Sequence, residues 1–256
     1  MSSALRGHGE PAVYFTVGSL EALGLPHALT TRHCPGVASF AEPIEPRAPR
    51  APFRAEAAAV LGKAGLEMER VTYARQVHGA ATARASAGGG FAGLVDILVT
   101  TEPRVPLAIF TADCLALVLY DPDTRVLGVA HVGWRGTVRG APQAAVRAVA
   151  ELGARAAALR VAIAPSIGPC CYEVDAPVTA ELERALGERW TRWAKPSRAG
   201  HVMLDLWAAN ETLLCEAGVS PDHIDNPRLC TACHPDLLYS YRKGNRGRLV
   251  TVAALP

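Results

Sequence analysis

His78 in RQVHG, Cys114 in FTADCLALVLYDP and His131 in GVAHVGWRG are residue types that bind zinc, and two of them come with a geometric reason to meet. The runs 114–120 (CLALVLY) and 125–131 (RVLGVAH) are strand-like, and the DPDT between them is turn-forming. An unbulged antiparallel hairpin around that turn sets Tyr120 opposite Arg125 and, six residues further along each strand, Cys114 opposite His131. Opposed residues have Cβ atoms about 4.5–5.5 Å apart, a span that one zinc ion bridges with sulfur at about 2.3 Å and nitrogen at about 2.0–2.1 Å. His78 follows another strand-like run, VTYARQV, and can supply a third ligand. One Cys and two His leave a tetrahedral ion one open position, which marks a catalytic metal and argues against a merely zinc-stabilised interaction module. Without a metal, the same pair reads as a Cys114 nucleophile with His131 as its base.

The flanking residues extend this chemistry. HVGWRGT places Arg135 and backbone amides at a strand-to-helix junction, where an oxyanion or phosphate can be held; the alternative is a surface arginine beside a core Trp134. Asp113 adjoins Cys114 on a strand, so its side chain points to the other face and reads as structural. Glu173 in CCYEV is either a proton shuttle or a solvated carboxylate. Cys230 and Cys233 make a Cys-x-x-Cys, alone half a zinc ribbon or a redox pair. The chain has no second such pair, and the adjacent Cys170 and Cys171 chelate poorly together, so these four read as reduced, structural thiols.

The chain must also provide the scaffold. Its 256 residues can bury a large core, and no linker divides them, which predicts one domain over 1–256 with residues 1–11 flexible. A net charge of +2 gives no reason to expect nucleic acid or a membrane surface, and 6% aromatic residues are too few for a single-strand stacking platform. VPLAIFTADCLALVLY is interrupted by Asp113 and reads as two buried strands rather than a membrane span. The first fifteen residues lack the apolar run of an export signal, and an odd count of seven cysteines suits a reducing cytoplasm.

Strands are predicted near 12–17, 27–32, 71–77, 80–85, 94–100, 105–110, 114–120, 125–131, 159–164 and 248–254. Helices are predicted at 53–64, 137–152, 177–186 and 205–217. Strands gather in the first half and helices in the second, which favours an α+β fold over a doubly wound sheet. The five prolines in 35–52 predict an irregular exposed loop beside the site, and SAGGGFAG (86–93) a flexible turn.

The series QVHG, TADCLALVLYDP, GVAHVGWRGT, IGPCCYEV and CTACHPDLLYSYRKGNRGRL resembles, from about Thr30 to the C-terminus, the bacterial laccase-domain family. That family was first described as multicopper polyphenol oxidase, then as zinc-dependent purine nucleoside phosphorylase, adenosine deaminase and peptidoglycan editing factor. The resemblance implies a layered α/β/β/α sandwich with mixed, largely antiparallel sheets. It implies one zinc per chain on His78, Cys114 and His131, with Arg135 joining Cys114 and His131 in catalysis. It also implies substrate contacts at Arg32, Gln76 and Arg242, a nucleoside and phosphate as small-molecule substrates, and adenosine, inosine, guanosine or methylthioadenosine as the nucleoside. The alternatives are an amide hydrolase acting on cell-wall precursors through the same zinc, or a metal-free Cys114/His131 thiol hydrolase as in the fold's toxin relatives.

Two features depart from older or related patterns. Eight histidines without any His-x-His pair, and Met only at positions 1, 68 and 203, make a laccase-type or blue copper centre a poor fit. The His-x-Glu with Pro-Cys-x-x-Cys of zinc nucleobase deaminases is missing as well. After Arg32 the chain runs HCPGVASF where the family has a Gly-Gly-Val-Ser stretch, so contacts from that region differ.

Overall fold

The computed structural model describes residues 5–37 and 52–256. Among them, four strands that read as near-continuous apolar runs form the centre of the molecule: Leu107–Thr111, Leu115–Asp121, Val126–Val132 and Leu249–Ala253 are buried along their whole length. Strands buried on both faces must be covered on both sides, which requires layers.

One sheet runs, edge to edge, through Leu5–His8, Tyr14–Val17, His27–Thr30, Leu249–Ala253, Leu107–Thr111, Thr72–Tyr73 and Gly90–Phe91. A second runs through Ile224–Asp225, Arg160–Ile163, Leu115–Asp121, Val126–Val132, Ile97–Thr100 and Thr82–Arg84. Period-two alternation divides their side chains. Ala116, Val118, Tyr120, Leu127 and Val129 point toward Leu107, Ile109 and Leu249 of the first sheet, making the inter-sheet core. Leu115, Leu117, Leu119, Ala130 and Val132 point the other way, against Ala145, Val149 and Leu214 of helices Ala141–Ala150 and Leu206–Glu216. Beyond the first sheet, Phe110, Val250 and Val252 pack on Leu61 of helix Ala55–Gly62. The result is the expected single-domain α/β/β/α sandwich. A small antiparallel sheet (Glu173–Asp175, His201–Leu204, Ala194–Pro196) sits beside it. Each fully buried leucine in these layers contributes about 1.5–3 kcal/mol relative to exposure.

Several local expectations are corrected. The helix expected at 137–152 is two pieces, Trp134–Val138 and Ala141–Ala150, because Gly140 takes a left-handed φ of 74° between them and Pro142 opens the second. The run 71–77 yields only Thr72–Tyr73 as strand; beyond it the chain leaves the sheet to present the site. Leu5–His8, in the stretch expected to be flexible, pairs with Tyr14–Val17. No helix among the described residues is long and apolar enough to cross a membrane. Most of the proline-rich segment expected as a loop, 38–51, lies outside the described residues.

The central hairpin forms, but its register is two residues away from expectation. Val126 faces Asp121 and His131 faces Ala116, so Cys114 falls diagonal to His131 and level with Gly133. The cause is the turn. Asp121 accepts the backbone N–H groups of Asp123 (3.0 Å) and Thr124 (3.3 Å), and Arg125 takes a left-handed φ of 55°, so the loop is residues 122–125 and not the expected 121–124. A slip of two keeps every side chain on its face, so Cys114 and His131 still share the inter-sheet side.

Candidate active site and metal centre

The chain leaves the first sheet at Thr111 and enters the second at Leu115, so Ala112, Asp113 and Cys114 turn the corner between the two layers. Asp113 adopts a φ of 89° there, and its carboxylate is tied down by the Thr231 hydroxyl (2.6 Å) and the Arg242 backbone N–H (2.7 Å). Asp113 is thus a latch for the corner; it lies outside the strand and lines the same cavity as Cys114, so the expected position on the opposite strand face does not hold. The corner turns Cys114 into the mouth of the inter-sheet space, where His131 projects from its strand.

His78 reaches the same point from the segment after Thr72–Tyr73. Gln76 fixes that segment: its amide donates to the Phe110 carbonyl (2.7 Å) and accepts the Phe110 N–H (2.8 Å). The decisive anchor is Asp96, fully buried at the start of the strand Ile97–Thr100. Its carboxylate accepts the backbone N–H groups of Val77 (3.2 Å), His78 (2.9 Å) and Gly79 (2.7 Å) and binds His131 Nδ1 at 2.8 Å. His78 itself sits at a strained φ of 57°, a conformation those N–H bonds over-determine.

The donor atoms of His78, Cys114 and His131 lie within 4.8 Å of one another. The His78 and His131 rings meet edge to face, 4.8 Å between centroids. Because Asp96 occupies His131 Nδ1, Nε2 is left for a ligand, the carboxylate–histidine arrangement usual behind zinc. Gly133 makes room: a Cβ there would stand 2.6 Å from the Cys114 sulfur.

The electrostatics of the trio follow from the same contacts. Burial raises the Cys114 thiol, but hydrogen bonds to His131 and His78 outweigh it and bring it down to about 6. Burial opposes the charged form of His131, yet Asp96 and Cys114 carry its imidazole up to about 9. Burial also works against an ionised Asp96, and the bonds from His131 and Gly79 hold it below the ordinary carboxylate range. A thiolate facing imidazole nitrogens oriented by a carboxylate is a donor set that suits zinc.

The trio lines a cavity of about 660 Å³. Gln76, Arg135 and Arg242, expected from the sequence, line it, as do two arginines that sequence reasoning missed, Arg75 and Arg248. Among the described residues, none of these four arginines makes a salt bridge with an acidic side chain. Arg135 stacks over Trp134 at 4.4 Å, and Arg242 donates to the Glu173 carbonyl (2.8 Å) beside the Tyr172 ring. Burial pushes the Tyr172 phenol above its ordinary value, keeping it a hydrogen-bond donor. Arg32 is not on the cavity wall; its guanidinium donates to the Pro235 carbonyl and lies 5.3 Å from the Tyr239 ring. Glu173 points away, bonded to Ser197 (2.7 Å) and Arg198 (3.0 Å), and is no shuttle in this geometry.

Asp96 and the two extra arginines had no signal in the sequence. A lone Asp before a strand and single arginines in polar segments look like many others. The thiols gave a partial signal: Cys170, Cys171, Cys230 and Cys233 are not scattered structural cysteines but lie within 4.8 Å of one another.

Comparison with known proteins agrees with this architecture. The family model described as multi-copper polyphenol oxidoreductase laccase matches residues 50–256. A purine nucleoside phosphorylase of Deinococcus radiodurans is 40% identical over 245 residues, covering 91% of this chain and 90% of its own. An adenosine deaminase, RL5, from an unknown prokaryote is 33% identical over 61% of each chain. The crystal structure of YlmD from Geobacillus stearothermophilus superposes with a TM-score of 0.83 at 27% identity, covering 98% of this chain and 99% of that one. The chain therefore belongs to the multi-copper polyphenol oxidoreductase laccase family.

Proposed function

We propose that this protein is a zinc-dependent purine nucleoside phosphorylase, with inosine, adenosine, guanosine and methylthioadenosine as its substrate class. The observation that carries the reading is the cavity: four arginines that have no acidic partner among the described residues line, together with a Cys–His–His donor set, a space large enough for a nucleoside. The phosphorylase relatives, of which the Deinococcus protein spans nearly the whole chain, support the same choice.

His78, Cys114 and His131 would hold the zinc, and when bound it supplies Lewis-acid stabilisation of negative charge developing beside it. The chain's own residues account for the rest. Arg135 and Arg242, with Arg75 and Arg248, neutralise inorganic phosphate and hold it as a nucleophile. Trp134 and Tyr172 offer aromatic faces for a purine. An oxygen of hydrogen phosphate bonds to C1′ of the ribose while the N9–C1′ bond breaks; the electron pair of that bond stays on the purine, which leaves neutral after taking up the proton the phosphate gives up.

The seven free cysteines fit a reducing compartment, and we place the protein in the cytoplasm. The deaminase relative motivates a second activity on adenosine, release of ammonia to give inosine. Wild-type protein should convert inosine to hypoxanthine and ribose 1-phosphate only with phosphate present. His131→Ala should abolish this. Base release at an equal rate without phosphate identifies a hydrolase instead, and inactivity on every nucleoside with activity on a cell-wall amide overturns the reading.

A further inference from the structure

Beside the cavity lies a second group of metal-binding side chains that the proposed reaction does not use. Cys170 and Cys171 follow the strand Arg160–Ile163, in the loop that leads to Glu173, while Cys230 precedes and Cys233 ends the short turn Thr231–Cys233. The sequence argued against joint chelation by neighbouring cysteines. The backbone overcomes that objection: the N–H groups of Cys171 and Tyr172 both bond the Gly168 carbonyl (3.0 and 3.1 Å), and this tight turn brings both thiols toward the other pair. The sulfurs of Cys170 and Cys171 each lie 3.5 Å from that of Cys233, and all four sulfurs lie within 4.8 Å of one another.

Four sulfurs around one zinc at about 2.3 Å are separated by about 3.8 Å from each other in a tetrahedron. The observed spacing matches that geometry and is too tight for a cluster of several irons. A second observation points to a thiolate. The Cys230 sulfur accepts the Gly168 N–H at 3.2 Å, a donor that stabilises a negatively charged sulfur.

We propose that Cys170, Cys171, Cys230 and Cys233 form a second, structural zinc site that staples two loops of the active-site wall together. One loop carries Tyr172 directly after Cys171, and Ile167 before it, both on the cavity wall. The other carries Thr231, whose hydroxyl holds Asp113 next to Cys114. The ion is closed off by four protein ligands and has no open position for substrate. Two zinc ions per chain, not the one expected from the sequence, are then the full complement.

Elemental analysis of protein purified under reducing conditions should give two zinc per chain. Cys114→Ser should retain one, and X-ray absorption on that variant should show only sulfur neighbours at about 2.3 Å. C230S/C233S should retain one as well, with mixed nitrogen and sulfur neighbours. If that double variant does not fold, the Cys114→Ser spectrum alone decides. Cys114→Ser protein without zinc overturns the second site while leaving the nucleoside reading intact, as does a Cys230–Cys233 disulfide by mass spectrometry in anaerobically prepared protein. Wild type with a single zinc that survives Cys114→Ser upholds the four-cysteine site and sinks the catalytic one.

Discussion

Asp96 Oδ1 lies 2.8 Å from His131 Nδ1 and 2.9 Å from the His78 backbone nitrogen, so one buried carboxylate positions two of the three proposed metal ligands. It orients the ring of the first and fixes the strained backbone of the second. Replacing it by Asn removes an acceptor from a site whose other donors stay buried. Asp96→Asn should lower zinc affinity at the trio by about 10–100-fold. Graded chelator washes followed by metal analysis measure this, and unchanged retention would show that Asp96 serves folding alone.

Gly133 is required by contact, not by backbone conformation. Its φ of −89° suits any residue, but a Cβ would meet the Cys114 sulfur at 2.6 Å. Gly133→Ala should therefore displace Cys114 and empty the trio with only a modest loss of stability. Full zinc occupancy and activity in Gly133→Ala would mean that the sulfur lies elsewhere.

The turn that sets the hairpin register depends on Asp121. Burial raises its carboxyl, but backbone N–H groups of Arg155, Thr124 and Asp123 outweigh that and hold it below its ordinary value. A folded value below the unfolded one gives stability that is present above about pH 4 and is lost as pH falls through the folded value. Asp121→Asn should cost about 1–3 kcal/mol at neutral pH, since the Arg155 N–H loses its 2.9 Å acceptor. Below about pH 4 the gap to wild type should narrow. Urea titrations across pH test this, and a constant gap would contradict it.

How much of this was legible is clearest at the hairpin. Turn residues and strand-forming runs announced the pairing, and Cys114 and His131 were named as partners from sequence alone. The register was not legible, because it depended on which residues the Asp121 side chain would cap and on a left-handed Arg125. Period-two geometry rescued the inference, since a slip of two leaves both residues on one face. The two central buried strands were legible in the apolar run VPLAIFTADCLALVLY, while the α/β/β/α layering was legible only through the family resemblance. Asp96, Arg75 and Arg248 were not, because their roles arise from chain crossings between sheets. The four-cysteine group was hidden for the same reason, its halves separated by two helices and a small sheet.

Arg135 tests the proposed anion site separately from the proposed metal. It stacks on Trp134, away from the zinc ligands' hydrogen bonds, so Arg135→Ala should leave zinc content unchanged. Loss of one charge-assisted contact, worth about 1.5–3 kcal/mol, should raise the KM for phosphate by about 10–100-fold. An unchanged KM for phosphate would place the anion at the other arginines.

The bond-forming step itself can be followed directly by running the reaction with inosine and phosphate in ¹⁸O-labelled water. Attack by phosphate predicts ribose 1-phosphate whose C1 oxygen carries no label, with hypoxanthine released in equal amount. Label at C1 of free ribose, with hypoxanthine released regardless of phosphate, would show that water is the nucleophile and would contradict the phosphorylase account.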